Sequence, residues 1–494
     1  MRVDGALDFT HVSTPETVGV DSAGVAAFVA GVTADPFIDP HTLLLARDGV
    51  LIARGGWAPY RPDQPTLLYS LSKSFAITGL GIAVDEGLLR LDEPVLGAFP
   101  ECDDDAVPDA TRRITFRHLA MMGSGHAQEM WPLLRSNNPA GLFRAFFHVP
   151  PDREPGTLFT YNQFATYSIV ETIHRRSGAR FLDWLRPRLF DPLGVTAAGW
   201  QQLVPGIDLG FTGLFTTPDA VAALAQLYLN KGVYAGRRIV SERWVDEATR
   251  AQIDNSHWSP DPDWQQGYGF HFWMCQHGYR GDGAFGQYCL VLPEQRMIVA
   301  FTSQTLAMQR VLNLVYEHLL PAVDRGTSSG ATPVTEHDEN NETMAFDPFA
   351  GKTAALPTVA GAADPTATQS FAPVTPHTQV AGGVEIDFTP AAPELATLEL
   401  VDGVGTVRIS DATVDITAPV RIGAWMTTER GPSCPIAVAA AAACDAETAR
   451  VSLLFLETPH RIELSWDRAT GDCHADWVTP ALLGAGLRDL GYPD

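Results

Sequence analysis

Residues 322–345, AVDRGTSSGATPVTEHDENNETMA, are rich in Ser, Thr, Gly and acids and have no hydrophobic period. Such a stretch cannot bury enough apolar surface to offset its ordering entropy, so it separates two folding units. A chain of 494 residues is also too long for one ordinary core. Ahead of the break, TLLLARDGVLIARGGW (42–57) places two apolar runs around Asp48-Gly49, a hairpin signal. From Ser70 to about Leu89 the apolar residues fall at helical spacing, and 163–186 and 217–230 read as amphipathic helices. After about residue 265 strands are expected at 270–276, 285–292 and 296–303, with a closing helix at 305–320. Beyond the break, 380–478 shows short alternating runs such as ATLELVDG, GTVRISDA and ARVSLLFLE, which predict an all-β domain. The expected division is 1–325, a linker over 326–379, and 380–494.

Charge narrows the partners. With 58 acidic against 34 basic residues the net charge is −24, which repels DNA, RNA and anionic lipid. No nucleic-acid or membrane partner is expected, and no apolar run reaches the roughly 18 residues of a membrane span. The start, MRVDGALDFTHVSTPE, has no apolar signal segment, so a cytoplasmic location is expected. The six cysteines are scattered without a CxxC pair and read as buried thiols, neither a disulfide framework nor a zinc site.

The sharpest local feature is Ser70-Leu71-Ser72-Lys73. If Ser70 opens the helix, Lys73 stands one turn later on the same face, beside the hydroxyl. A serine hydroxyl needs a base within hydrogen-bond reach, and a lysine serves when burial depresses its pKa. The helix N-terminus would add backbone N–H groups near a developing oxyanion. Lys73, Lys231 and Lys352 are the only lysines in the chain, and roughly 0.1 S-x-x-K matches are expected by chance.

The text around this motif resembles the serine β-lactamase and D-alanyl-D-alanine peptidase superfamily, in its branch of class C β-lactamases and related esterases. YSLSKSFAITGLGIAVDEGLLRLDEPV (69–95) is similar to that branch's active-site helix. ITFRHLAMMGSGH (114–126), PGTLFTYNQFATYSIVETIHRRSG (155–178), FDPLGV (190–195) and GLFTTPDAVAALAQLYLNKG (213–232) resemble later landmarks in the same order. The resemblance spans about residues 15–320 and implies an α+β fold, an antiparallel sheet flanked by helices with a helical subdomain inserted between about 60 and 260. The all-β C-terminal unit resembles the lipocalin-like appendages of some members.

The resemblance implies that Ser70 forms an acyl-enzyme, that Lys73 shares or takes its proton, and that Tyr161 acts as a phenolate-like base. A cation at Lys73 would lower the tyrosine pKa from its usual value near ~10. Where the branch commonly has Tyr-x-Asn, this chain has Tyr161-Asn162-Gln163, and both amides are expected to meet Lys73 or the substrate. The third motif, Lys/His-Thr/Ser-Gly on an edge strand, falls at Gly281-Asp282-Gly283 with Arg280 just before it. Its cation and hydroxyl are missing, and Asp282 would repel an anionic substrate. Asp282 and Gly283 are expected at the substrate, and the backbone N–H groups of Ser70 and Ala284 at the oxyanion hole.

Gly326-Thr327-Ser328-Ser329-Gly330 satisfies G-x-S-x-G but lies in the polar linker, without the strand and helix that motif needs. His126 reads as a satisfied loop residue. Most of the aromatic cluster at 257–288 reads as core, with Trp258 and Trp264 the better binding candidates. The expected function is hydrolysis of a small ester or amide, esters favoured, without metal or other cofactor. A β-lactamase or D-amino-acid peptidase is the alternative within the fold, and a non-catalytic binding protein the alternative outside it. A homo-oligomer is left open.

Overall fold

The computed structural model describes residues 5–131, 141–323, 348–349, 352, 366–370, 377–381, 384–388, 393–431, 434–470, 472–479, 481 and 486–493. The Gly326–Gly330 motif lies outside the described residues.

Helix α1 (Ser22–Ala34) precedes the hairpin of β1 (Asp39–Arg47) and β2 (Val50–Gly56). Asp48 and Gly49 both take positive φ, 52° and 76°, as a tight two-residue hairpin turn requires. Helices α2 (Ser72–Asp85), α3 (Gln163–Ser177) and α4 (Pro218–Leu229) follow, then strands β3 (Trp273–Cys275), β4 (Gly278–Gly283), β5 (Gln287–Leu292) and β6 (Met297–Gln304), and α5 (Met308–Leu314). The six strands form one sheet in the order β3-β4-β5-β6-β1-β2, antiparallel at every pairing. Both chain ends of the unit therefore build the sheet, with β1 on β6 as its seam, and the helical insertion lies between β2 and β3.

Three details differ from expectation. Helix α3 stops at Gly178, whose φ of 71° caps it in the left-handed conformation, so 163–186 divides into α3 and a short turn of helix at Phe181–Leu185. Strand β4, expected at an edge, is interior because β3 folds back onto it. Thr366–Ser370, inside the expected linker, pairs with Leu395–Val401, so the β-region begins before residue 380.

In the C-terminal unit a meander of Leu395–Val401, Val404–Ser410 and Asp415–Arg421 faces a second sheet built on Val438–Cys444, Thr448–Phe455, Arg461–Asp467 and Cys473–Trp477. Alternate residues from both sheets, such as Leu398, Ile409 and Ala418 against Val451, Leu464 and Trp466, share one core. The strand VAAAAAC (438–444) is buried along its whole length. Val438, Ala440 and Ala442 face that core, while Ala437 and Ala439, with Leu454 and Leu456, pack on Tyr60 of the N-terminal unit. Small side chains suit a strand covered on both faces.

Candidate active site

The segment before Ser70 is held as a strand. Thr66–Leu67 pairs with Leu214–Thr216, and Leu68 N–H donates to Leu214 O at 2.9 Å. Tyr69 then takes φ +48°, in the left-handed region that a bulky residue rarely enters. The chain turns sharply there, Ser70 sits in a single 3₁₀ turn, and α2 proper begins at Ser72 rather than at Ser70. The serine is left half-buried at the cleft.

Two glycines allow the sheet to lie against this turn. A Cβ on Gly283 would come within 2.0 Å of Leu68 O, and one on Gly281 within 2.1 Å of Ser74 Oγ. The triplet Gly281-Asp282-Gly283 thus serves close backbone approach, with Ala284 half-buried at its end. Gly283, expected to touch substrate, is instead buried against the Ser70 segment.

Lys73 is 1% exposed, and its Nζ donates to Ser70 Oγ (3.1 Å), Gln163 Oε1 (2.6 Å) and Phe211 O (2.9 Å). Burial pulls its pKa down to about 7, against the opposing pull of Glu129 and Asp282. Lysine thus titrates where an enzyme works. Tyr161 lies beside it, with Nζ 4.7 Å from the ring centroid, and stacks on Trp273. The expected lowering of the Tyr161 pKa is overturned. Burial first, then the Asp282 carboxylate, pushes it well above the ordinary phenol value, so the hydroxyl stays protonated.

Gln163, the first residue of α3, retains the expected contact with Lys73 through its amide oxygen. Asn162 does not reach the cleft. It is fully buried, and its Oδ1 accepts from Phe164 N–H (3.0 Å) as the cap of α3.

Asp282 also differs from its expected role. Arg280, fully buried, donates from Nε to Asp282 Oδ2 at 2.9 Å and from Nη1 to Asp263 O at 2.9 Å, and its guanidinium lies 4.1 Å from the Trp264 ring. The aspartate is therefore compensated from behind and does not present a bare charge to an anion. Trp264, 2% exposed, is the platform for that arginine and not a binding surface. Trp258 is half-buried and packs 5.3 Å from Phe159 and 6.3 Å from Tyr161. His126 is buried and hydrogen-bonded to Ser124 Oγ (3.0 Å) and Val149 O (3.2 Å), a satisfied loop residue as expected. The six cysteines are free and buried.

One site residue escaped the sequence. Glu129 Oε1 accepts from Gln163 N–H (3.0 Å) and Trp131 N–H (2.9 Å), and burial raises its pKa to about 7. The available signal was an acid standing directly before the apolar pair Met130-Trp131, a few residues after Gly123-Ser124-Gly125. Among the described residues no cluster of three or more His, Cys, Asp or Glu is placed to hold a metal ion, and no helix is long and apolar enough to cross a membrane.

A serine one turn ahead of a buried lysine, faced by a tyrosine across an antiparallel sheet and helical insertion, defines the penicillin-recognising class of serine hydrolase fold. Residues 41–320 match the family described as Beta-lactamase, more than half the chain, and the protein belongs to that family. Its members are serine hydrolases. A 6-aminohexanoate-dimer hydrolase of Paenarthrobacter ureafaciens is 25% identical over 259 residues, which span 48% of this chain and 65% of the relative, just under two thirds of its length. EstCE1, described as a hydrolase with promiscuous acyltransferase activity, superposes with a TM-score of 0.50 at 17% identity, over 61% of this chain and 99% of its own. A penicillin-binding protein homologue from Caulobacter crescentus gives 0.49 at 17% identity, over 63% and 100%.

Proposed function

We propose that this protein hydrolyses small esters or amides through an acyl-enzyme on Ser70, with esters the preferred substrates. The observation that carries this is the Lys73 amine, 3.1 Å from Ser70 Oγ with its pKa drawn down to about 7. Near neutral pH a fraction of Lys73 is unprotonated and takes the Ser70 proton as Oγ attacks the acyl carbon. The carbonyl oxygen becomes an oxyanion facing the backbone N–H groups of Ser70 and Ala284. The Tyr161 hydroxyl then relays the proton from Lys73 to the departing alcohol or amine, so both side chains return to their starting states. Water attacks the acyl-enzyme, giving its proton to Lys73, which passes it to Ser70 Oγ as the acid departs.

The preference for esters rests on the third motif. The cation beside it in sequence, Arg280, is fully buried and committed to Asp282, so it offers no anchor for a substrate carboxylate. The acid Glu129 beside Gln163 also suits a neutral or cationic substrate better than an anionic one. Linear amide hydrolysis is the second reading, favoured by the relative named for the 6-aminohexanoate dimer.

The test is turnover of p-nitrophenyl butyrate, nitrocefin and a D-alanyl anilide by the protein and by Ser70→Ala. Ester turnover lost in the variant supports the proposal. No turnover, together with a fluorophosphonate probe that leaves Ser70 unlabelled, favours a non-catalytic binding protein.

A further inference from the structure

The two residues proposed to form the oxyanion hole each adjoin a residue in a strained conformation. Tyr69, just before Ser70, has φ +48°, and Phe285, just after Ala284, has φ +67°. For aromatic side chains such values persist only where surrounding contacts enforce them. Here the enforcement comes from the C-terminal unit. The rings of Tyr69 and Phe285 meet edge to face at 5.3 Å, and the His460 ring packs on both, at 5.8 and 5.6 Å. Leu67 N–H donates to Glu457 O at 2.8 Å, so the loop carrying His460 also pairs with the chain that enters the nucleophile turn.

The histidine is set for one task. It is fully buried, and its Nδ1 lies 2.9 Å from Thr479 O, a carbonyl that can only accept. Nδ1 therefore carries the proton, which leaves Nε2 as the acceptor for the Tyr69 hydroxyl at 2.5 Å. Burial depresses its pKa to about 4, so this neutral tautomer holds at working pH.

We propose that His460 is a positioning residue for the oxyanion hole: by accepting from Tyr69 and packing on Phe285, it fixes the backbone on both sides of the Ser70 and Ala284 amides. The inference rests on the proposed hydrolase reading. It makes the C-terminal domain a working part of the site, although His460 touches no substrate.

The experiment compares p-nitrophenyl butyrate kinetics and the rate of fluorophosphonate labelling in wild type, Tyr69→Phe, His460→Leu, His460→Gln and the Tyr69→Phe/His460→Leu double variant. Displacing one oxyanion donor without deleting it should lower kcat by roughly 10–100-fold in each of the first two variants. KM should stay within about twofold, because substrate binding is not the step affected. Labelling should slow in parallel. Gln offers an amide oxygen near the Nε2 position and should restore most of kcat, and the double variant should be no worse than the poorer single one. Should His460→Leu fail to fold, Tyr69→Phe decides the question, since it removes one oxygen and keeps the ring. Folded Tyr69→Phe or His460→Leu with wild-type kcat, or with a raised KM alone, overturns the inference while leaving the hydrolase standing. An inactive, unlabelled wild type overturns the hydrolase reading and this inference with it.

Discussion

Lys73 Nζ lies closer to Gln163 Oε1, at 2.6 Å, than to Ser70 Oγ, at 3.1 Å. The amide at the third position of Tyr161-Asn162-Gln163 is thus the tighter tether of the ammonium. Glutamine, one methylene longer than the asparagine common in this motif, spans the gap from the start of α3 to the buried amine.

In the proposed mechanism unprotonated Lys73 is the active form, and with its pKa at about 7, kcat/KM for p-nitrophenyl butyrate should rise with pH and level off above about 7. Gln163→Ala removes an acceptor that favours the ammonium, so the rising limb should move to lower pH. Lys73→Arg, which cannot deprotonate, should lose roughly 10²–10⁴-fold in kcat. A profile unchanged in Gln163→Ala would count against the tether.

The folded pKa of Glu129 is raised from 4.5 to about 7, so the folded state holds the extra proton between those values. Its ionisation therefore weighs against folding, fully above about pH 7 and not at all below about 4.5. Glu129→Gln should raise Tm at pH 8 and leave it unchanged at pH 4 in thermal melts. The lost negative charge should also move the Lys73 limb to lower pH.

Gly283→Ala should damage the site without touching substrate. Its Cβ would fall 2.0 Å from Leu68 O, a backbone atom that cannot rotate away. The strain should cost about 1–3 kcal/mol in denaturant unfolding and slow Ser70 labelling, because the displaced segment carries the nucleophile.

Arg280→Met should be the most destabilising of these changes, by about 3–5 kcal/mol, because it leaves the buried Asp282 carboxylate without its partner. Adding Asp282→Asn should recover much of that loss. A double variant no better than the single would show that Arg280 acts through Trp264 packing and not through charge.

What the sequence could show follows the range of each interaction. Ser70 and Lys73 are one helical turn apart, and α4 has a clear period, so both were legible. The termination of α3 is carried by Gly178, a single residue whose left-handed cap interrupts an apolar period that runs on to residue 186. Glu129 meets Gln163 from 34 residues away, and Tyr69 meets His460 across 391, separations at which no local pattern registers. The raised Tyr161 pKa is hidden from the sequence for a related reason. Proximity to a cation can be guessed from a motif, whereas burial and the field of Asp282 depend on how distant segments close over the ring. The place of Trp264 is hidden likewise, because only the fold lays the Arg280 guanidinium over its ring.

The strand 438–444 has no outward face: its alanines meet their own core on one side, and the sheet they build meets Tyr60 on the other. A chain cut ahead of this domain would wet Tyr60, Leu67, Tyr69 and Phe285 together, a sticky surface next to the nucleophile. The N-terminal unit is thus a poor candidate for recombinant production alone, and swapping in a foreign C-terminal module would require redesign of this seam first.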